Sequence, residues 1–203
     1  MVERMGKRNI QVKYTWSKFE SLLLRLVISI KNKLYVREDN LGRNYEKSLR
    51  MKRALLRKPL IPRLYEWFVQ VSYCLQILSK ITIPLRLGRN LVCDRYIYDT
   101  VVDMALDLGY SPKDAIDRIN RFLSCLPKPD LVFIIDLPEE VAFSRKDDIP
   151  SVEFLKEKRK IYKKASEEYE MVILDGTEPL SLLNNKVEEE ALKLINQKEK
   201  KGK

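Results

Sequence analysis

Residues 90–100 read N-L-V-C-D-R-Y-I-Y-D-T, and the change of character along this stretch decides the fold. Leu91-Val92-Cys93 is an apolar run of the length a buried strand needs, and the residues beyond Tyr96 repeat apolar groups at helical spacing. Between the two stands Asp94-Arg95. A carboxylate and a guanidinium at the carboxyl end of a parallel strand occupy the place where open α/β sheets bind their ligands.

Outward from this stretch, residues 131–135 form a second continuous apolar run, announced by Pro127 and Pro129 and ending on Asp136. Residues 171–174 end in the same way on Asp175-Gly176, and residues 10–16 alternate apolar and polar, as a strand does. Helices are expected between them. One spans 98–108 and closes at Gly109. Another runs from Ser111-Pro112 to about 126, with Ser111 as N-cap and Pro112 in the first turn. Shorter patterns cover 138–146 and 181–196, and Ser151 opens a helix whose Leu155, Ile161, Ala165 and Tyr169 share one face. A long apolar helix is expected from residues 59–62 to about 87, stopped by Pro84 and Gly88. A further helix is expected over 17–33, and a basic loop over 34–58. Residues 2–9 resemble the end of a helix. Strands separated by helices imply a parallel, layered α/β domain, with the aspartates at 94, 136 and 175 along one edge of the sheet.

The 203 residues are enough for one domain with a full core, here expected to span 1–203 with a frayed basic tail at 198–203. There is no histidine. This excludes histidine triads, H-E-x-x-H zinc sites and imidazole proton shuttles, and leaves carboxylates, Lys/Arg, hydroxyls or a bound Mg²⁺ for any chemistry. Cys74, Cys93 and Cys125 lack C-x-x-C spacing and read as buried reduced thiols. With no apolar leader pattern in residues 1–15, the expected location is cytoplasmic. The apolar stretch at 60–85 is broken by Arg63, Glu66, Gln70 and Lys80, so a buried helix is expected rather than a membrane span. The net charge of +10 is uneven: residues 1–63 hold 17 Lys/Arg against 5 Asp/Glu, the rest 22 against 24. That asymmetry fits either a solvated basic face or a non-catalytic protein that binds polyanions, nucleic acid or an anionic membrane.

Five pieces taken together, G-R-N-L-V-C-D-R-Y at 88–96, P-D-L-V-F-I-I-D-L-P-E-E-V-A at 129–142, Arg145-Lys146, E-K-R-K-I-Y at 157–162 and L-D-G-T at 174–177, resemble the thymidylate kinase family of nucleoside monophosphate kinases. The resemblance implies a P-loop-kinase-like three-layer α/β fold. It also implies ATP and Mg²⁺, a (deoxy)nucleoside monophosphate acceptor such as dTMP, and a homodimer. Phosphoryl transfer of this kind is mostly positioning and charge stabilisation. By resemblance Arg95 contacts the acceptor phosphate with Tyr96 beside it, and Asp94 either holds Mg²⁺ or caps the following helix. Arg145 and Lys146 belong to a cationic lid or to a solvated helix end. Arg159 falls on the lid-helix arginine, Tyr162 in the core, and Gly176-Thr177 near the adenine.

The departures carry as much weight. No G-x-x-x-x-G-K-[ST] follows a first strand: Gly6-Lys7 lacks a glycine five residues before it and is followed by Arg8. The backbone cradle and lysine that grip ATP phosphates are therefore not in this sequence. By resemblance the chain begins within the first helix, and the first, central strand would be missing from between the strands at 90–94 and 131–135. The Asp-Arg pair that faces thymine in the family falls on Ser72-Tyr73, and its Tyr-Gln pair on Asp103-Met104. Tyr65, Tyr73, Gln76 and Asp103 are then the expected acceptor lining.

Overall fold

The computed structural model describes residues 2–19, 60–145 and 149–201. The expected helix over 17–33 and basic loop over 34–58 lie almost wholly outside these residues, and so does Lys146. The described elements run in order: α1 (Val2–Gly6), β1 (Val12–Trp16), α2 (Ile61–Ile77), a π-helical turn (Leu78–Thr82), α3 (Ile83–Arg86) and β2 (Asn90–Asp94). They continue as α4 (Ile97–Leu108), α5 (Pro112–Leu123), β3 (Phe133–Asp136), α6 (Glu139–Ser144), α7 (Val152–Glu168), β4 (Val172–Asp175) and α8 (Leu180–Lys201).

Local chemistry explains the boundaries. Ser111 and Asp114 cap α5 reciprocally: the Asp114 N–H donates to Ser111 Oγ at 3.2 Å, and the Ser111 N–H donates to Asp114 Oδ2 at 3.1 Å. Pro112 sits where its missing N–H costs nothing. Gly109 ends α4 in the left-handed region, at φ 69°. Pro84 was expected to help stop the long helix, but the helix passes through it. Proline has no N–H to bond one turn back, and the π-helical turn just ahead absorbs the mismatch. The Ile83 N–H donates to the Leu78 carbonyl, five residues back. The last helix runs to Lys201, beyond its expected end near Asn196.

Among the described residues all strand pairing is parallel, but the four strands form two pairs instead of one sheet. Val12–Trp16 registers with Asn90–Asp94, and Phe133–Asp136 with Val172–Asp175. Among the described residues no strand lies between β2 and β3.

The core is a helical layer. Val69, Tyr73 and Ile77 of α2 meet Ile97, Val101 and Val102 of α4, Ile119 and Phe122 of α5, and Ile161 and Ala165 of α7. Two expectations about burial need correction. The long helix buries only one face; Leu64, Trp67, Val71, Leu75 and Leu78 remain exposed on the other. By length and composition the segment Arg63–Arg86 is the one candidate membrane span among the described residues. The thiols also differ from expectation, since Cys93 and Cys125 are exposed and only Cys74 is partly covered.

Candidate functional site

The site is assembled where β2 gives way to α4. Arg95 takes the left-handed conformation, φ 67°, which costs a residue with a Cβ of order 1 kcal/mol or more. This kink turns the chain from the strand into the helix, and Tyr96, extended at φ −154°, becomes the N-cap of α4. The alternative role of Asp94 as helix cap is therefore not realised. Asp94 Oδ2 instead accepts a hydrogen bond from the Tyr14 hydroxyl at 3.0 Å, which raises the Tyr14 pKa. Asp94 Oδ1 lies 4.0 Å from Arg95 Nε.

Arg95 is held by a residue that the sequence patterns did not single out. Its Nη1 bonds Asp99 Oδ1, one helical turn on. Asp99 also accepts the Tyr162 hydroxyl at 2.7 Å and the Tyr96 N–H at 3.4 Å. Burial opposes the charge on Arg95, but the field and hydrogen bond of Asp99 outweigh it and raise the Arg95 pKa. Burial, then the Asp99 charge, push the Tyr162 phenol above its ordinary value. Tyr162 is thus a core residue with a polar tip, as expected. The signal for Asp99 was present in the sequence as an acidic residue in the first turn of the helix that follows Asp94-Arg95.

A second cluster stands at the end of β3. Arg159 of α7 grips Asp136 with both arms of its fork, Nε to Oδ1 at 2.7 Å and Nη2 to Oδ2 at 2.6 Å. Its Nη1 reaches Glu139 Oε2 at 3.0 Å. The hydrogen bond to Asp136 is the leading cause of its raised pKa. Arg159 and Tyr162 lie three residues apart on α7, so one turn of this helix ties down both strand ends.

The other sequence-selected residues divide. Asp94, Arg95, Tyr96, Asp103, Arg145, Arg159 and Tyr162 all line one large cavity of about 2560 Å³. Tyr96 is largely buried and its hydroxyl donates to the Pro127 carbonyl at 2.8 Å. Asp103 accepts from Lys158 Nζ at 2.7 Å. Arg145 is exposed at the C-terminal end of α6 and makes no ion pair with another described residue. Tyr73 and Gln76 are elsewhere. Tyr73 is fully buried and donates to the Ser17 carbonyl at 3.1 Å, and Gln76 Nε2 donates to the Lys18 carbonyl at 2.9 Å. Gly176 and Thr177 belong to a tight turn closed by Asp175 Oδ1, which accepts the Thr177 N–H at 2.9 Å and hydroxyl at 2.6 Å. No group of three or more potential ligands converges on a metal position among the described residues. The Asp94 side chain is 45% exposed at the end of β2.

A parallel α/β layer with an Asp-Arg pair at the end of β2 is the architecture of a P-loop-kinase-like fold. The thymidylate kinase family model matches residues 50–187, and the chain belongs to that family. It is 33% identical over 92 residues to a probable thymidylate kinase of Methanocaldococcus jannaschii, covering 44% of this chain and 46% of the relative. It is 31% identical over 112 residues to probable thymidylate kinase 1 of Saccharolobus solfataricus, covering 52% and 53%. A thymidylate kinase of Fervidobacterium nodosum is 29% identical over 121 residues, covering 55% and 61%. The chain spans about half the length of the curated relatives it matches.

Proposed function

We propose that this chain forms the acceptor side of a thymidylate-kinase-type phosphotransferase, binding the 5′-phosphate of a (deoxy)nucleoside monophosphate such as dTMP at Arg95. The observation that carries this reading is the Arg95 guanidinium, turned out of the sheet by its left-handed backbone, steadied by Asp99, and bordering the large cavity. One Nη1 bond to Asp99 leaves the remaining N–H groups of the fork for phosphate oxygens.

In the reaction, an oxygen of the bound monophosphate attacks the γ-phosphorus of ATP, the bond from γ-phosphorus to the β-γ bridging oxygen breaks, and a nucleoside diphosphate and ADP result. Arg95 fixes the attacking phosphate, and Arg145 supplies an uncommitted positive charge near the transferring group. Asp94 is the residue that would help hold a Mg²⁺, which would supply charge to offset the phosphates. The grip on ATP requires a phosphate loop that this sequence does not contain. Arg159, whose charge is met by Asp136 and Glu139, organises the strand ends.

A thermal-shift series tests the reading. A monophosphate at about 100 times its Kd stabilises by ~2.7 kcal/mol, a rise of roughly 5–10 °C at this chain length. A rise with dTMP, or with another member of a dUMP, dCMP, dGMP and AMP panel, supports it. No rise with any of them refutes it.

The reading extends to a homodimer through α2. Its exposed apolar residues Leu64, Trp67, Val71, Leu75 and Leu78 recur at intervals of 3, 4, 4 and 3, the spacing of a helix–helix seam. They offer on the order of 500 Å² per protomer, which doubled approaches the ~1,000 Å² of a specific interface. The polyanion-binding alternative has little support among the described residues, because Arg4 and Arg8 are both engaged by Glu188.

A further inference from the structure

We propose that the Asp103–Lys158 ion pair, which joins α4 to α7, reads the base of the acceptor nucleotide and selects guanine. Asp103 Oδ1 accepts from Lys158 Nζ at 2.7 Å, and the two side chains keep 40% and 23% of their surface exposed. Both line the large cavity, and so do Arg95 and Phe154. With the acceptor phosphate at Arg95, the reading on which this one rests, the place of the pair along the two helices decides which part of the nucleotide it meets. Arg95 bonds Asp99, and Asp99 bonds Tyr162 of α7. Asp103 stands one turn further along α4 and Lys158 one turn back along α7, so a second bridge crosses between the helices ~6 Å beyond the first. A deoxyribose fills a gap of that order between a 5′-phosphate and its base.

The chemistry of the bridge selects the base. An ionised carboxylate only accepts, at about four lone-pair sites, and an ammonium only donates. Lys158 takes one site on Asp103, and no other described residue hydrogen-bonds to that carboxylate. Side by side, the two groups present acceptors next to donors. The Watson–Crick edge of guanine is the complement: N1–H and N2–H donate in parallel to the two carboxylate oxygens, and O6 beside them accepts from Lys158. Thymine offers a single donor, N3–H, between two carbonyl oxygens, so a carboxylate that accepts from it turns its second oxygen against another acceptor. Adenine and cytosine offer one amino group on that edge, next to a ring nitrogen that also accepts. The pair carries no net charge, which suits a neutral base. Phe154, one turn before Lys158 on α7, adds an aromatic face on which a purine can stack. A site built to bond particular donors rejects ligands that lack them, because its own groups are left unpaired.

Isothermal titration of the full 203-residue chain with dGMP, dTMP, dCMP, dAMP and dIMP tests the assignment. The expected result is dGMP binding at least about tenfold tighter than dTMP, dCMP or dAMP. It should also bind about tenfold tighter than dIMP, which lacks only the N2 amino group and so one hydrogen bond to a charged acceptor. In Asp103→Asn the preference for dGMP over dTMP should shrink to about threefold or less. A pair that only tied α4 to α7 would, once broken, weaken both nucleotides alike and leave their ratio in place. The proposal is overturned if dTMP, dCMP or dAMP binds as tightly as dGMP, if dIMP equals dGMP, or if the guanine preference survives Asp103→Asn; the phosphate role of Arg95 stands in each case. Binding of none of the five overturns both. The dIMP comparison uses the parent chain alone, so it holds whether or not the variant folds.

Discussion

Gly176→Ala separates a packing glycine from a nucleotide-contacting one. The resemblance places Gly176 near the adenine, yet its surroundings in the fold are crowded. A Cβ there would lie 2.7 Å from Leu137 Cγ, 2.8 Å from Ile135 Cγ2 and 3.0 Å from the Asp136 carbonyl oxygen. Two of these are side-chain atoms near the backbone and one is backbone, so relief requires the ends of β3 and β4 to separate. The Gly176 N–H donates to that same Asp136 oxygen at 2.7 Å, so separation also strains the bond that closes the strand pair. Overpacking of this kind costs about 1–3 kcal/mol. At 2–4 °C per kcal/mol for a chain of this size, Tm should fall by roughly 2–12 °C. Circular dichroism at 222 nm during a thermal ramp measures the drop, with the monophosphate panel repeated on the variant. An unchanged Tm together with lost nucleotide binding would refute the packing argument and return Gly176 to the ligand site.

Three other outcomes follow from the same structure. Asp99→Asn removes the charge that steadies Arg95 and should weaken dTMP binding by no more than about tenfold, since Arg95 is partly exposed; isothermal titration on variant and parent reads it. The carboxyls of Asp114, Asp175 and Glu139 are held below their ordinary values, by Ser111, by Thr177, and by the Glu139 N–H with Arg159. Groups with lowered folded-state pKa stabilise above the unfolded value near 4 and lose that contribution as pH falls through the folded value. Tm should therefore hold steady from about pH 7 to pH 5 and drop below ~4, and a decline beginning above pH 6 would be inconsistent with a chain that has no histidine. Trp67→Glu, within the α2 seam, should convert a dimer to a monomer in light scattering; an unchanged mass would remove α2 from the interface.

Most of the fold was legible because its signals are local. Ser111-Pro112-x-Asp114 announces a capped helix, Gly109 closes one, and apolar runs ending on aspartate mark β2, β3 and β4 to within two residues. What the sequence concealed depends on contacts between distant segments. Tyr73 and Gln76 have the composition of a pocket lining, but both spend their polar groups on carbonyls of residues 17 and 18, and no spacing rule reveals such a partner. Arg159 carries the resemblance of a lid arginine, and only the folded chain brings Asp136 and Glu139 to it. Pro84 was read as a helix stop because a proline normally breaks the hydrogen-bond ladder, and a π-helical turn is a tertiary accommodation without a clear sequence mark. The exposed thiols of Cys93 and Cys125 and the bare face of α2 have a related origin: apolarity says that a residue can be buried, and a neighbour must be present to bury it.

The most direct test of the acceptor-site account is a calorimetric titration of dTMP into the parent chain and into Arg95→Ala. A charge-assisted hydrogen bond to phosphate is worth about 1.5–3 kcal/mol, so the substitution should weaken binding by roughly 10- to 150-fold, while Tm without ligand stays close to that of the parent because alanine meets the same left-handed backbone at residue 95. Equal affinity for dTMP in the two proteins would contradict the assignment of Arg95 to the acceptor phosphate and, with it, the proposed function.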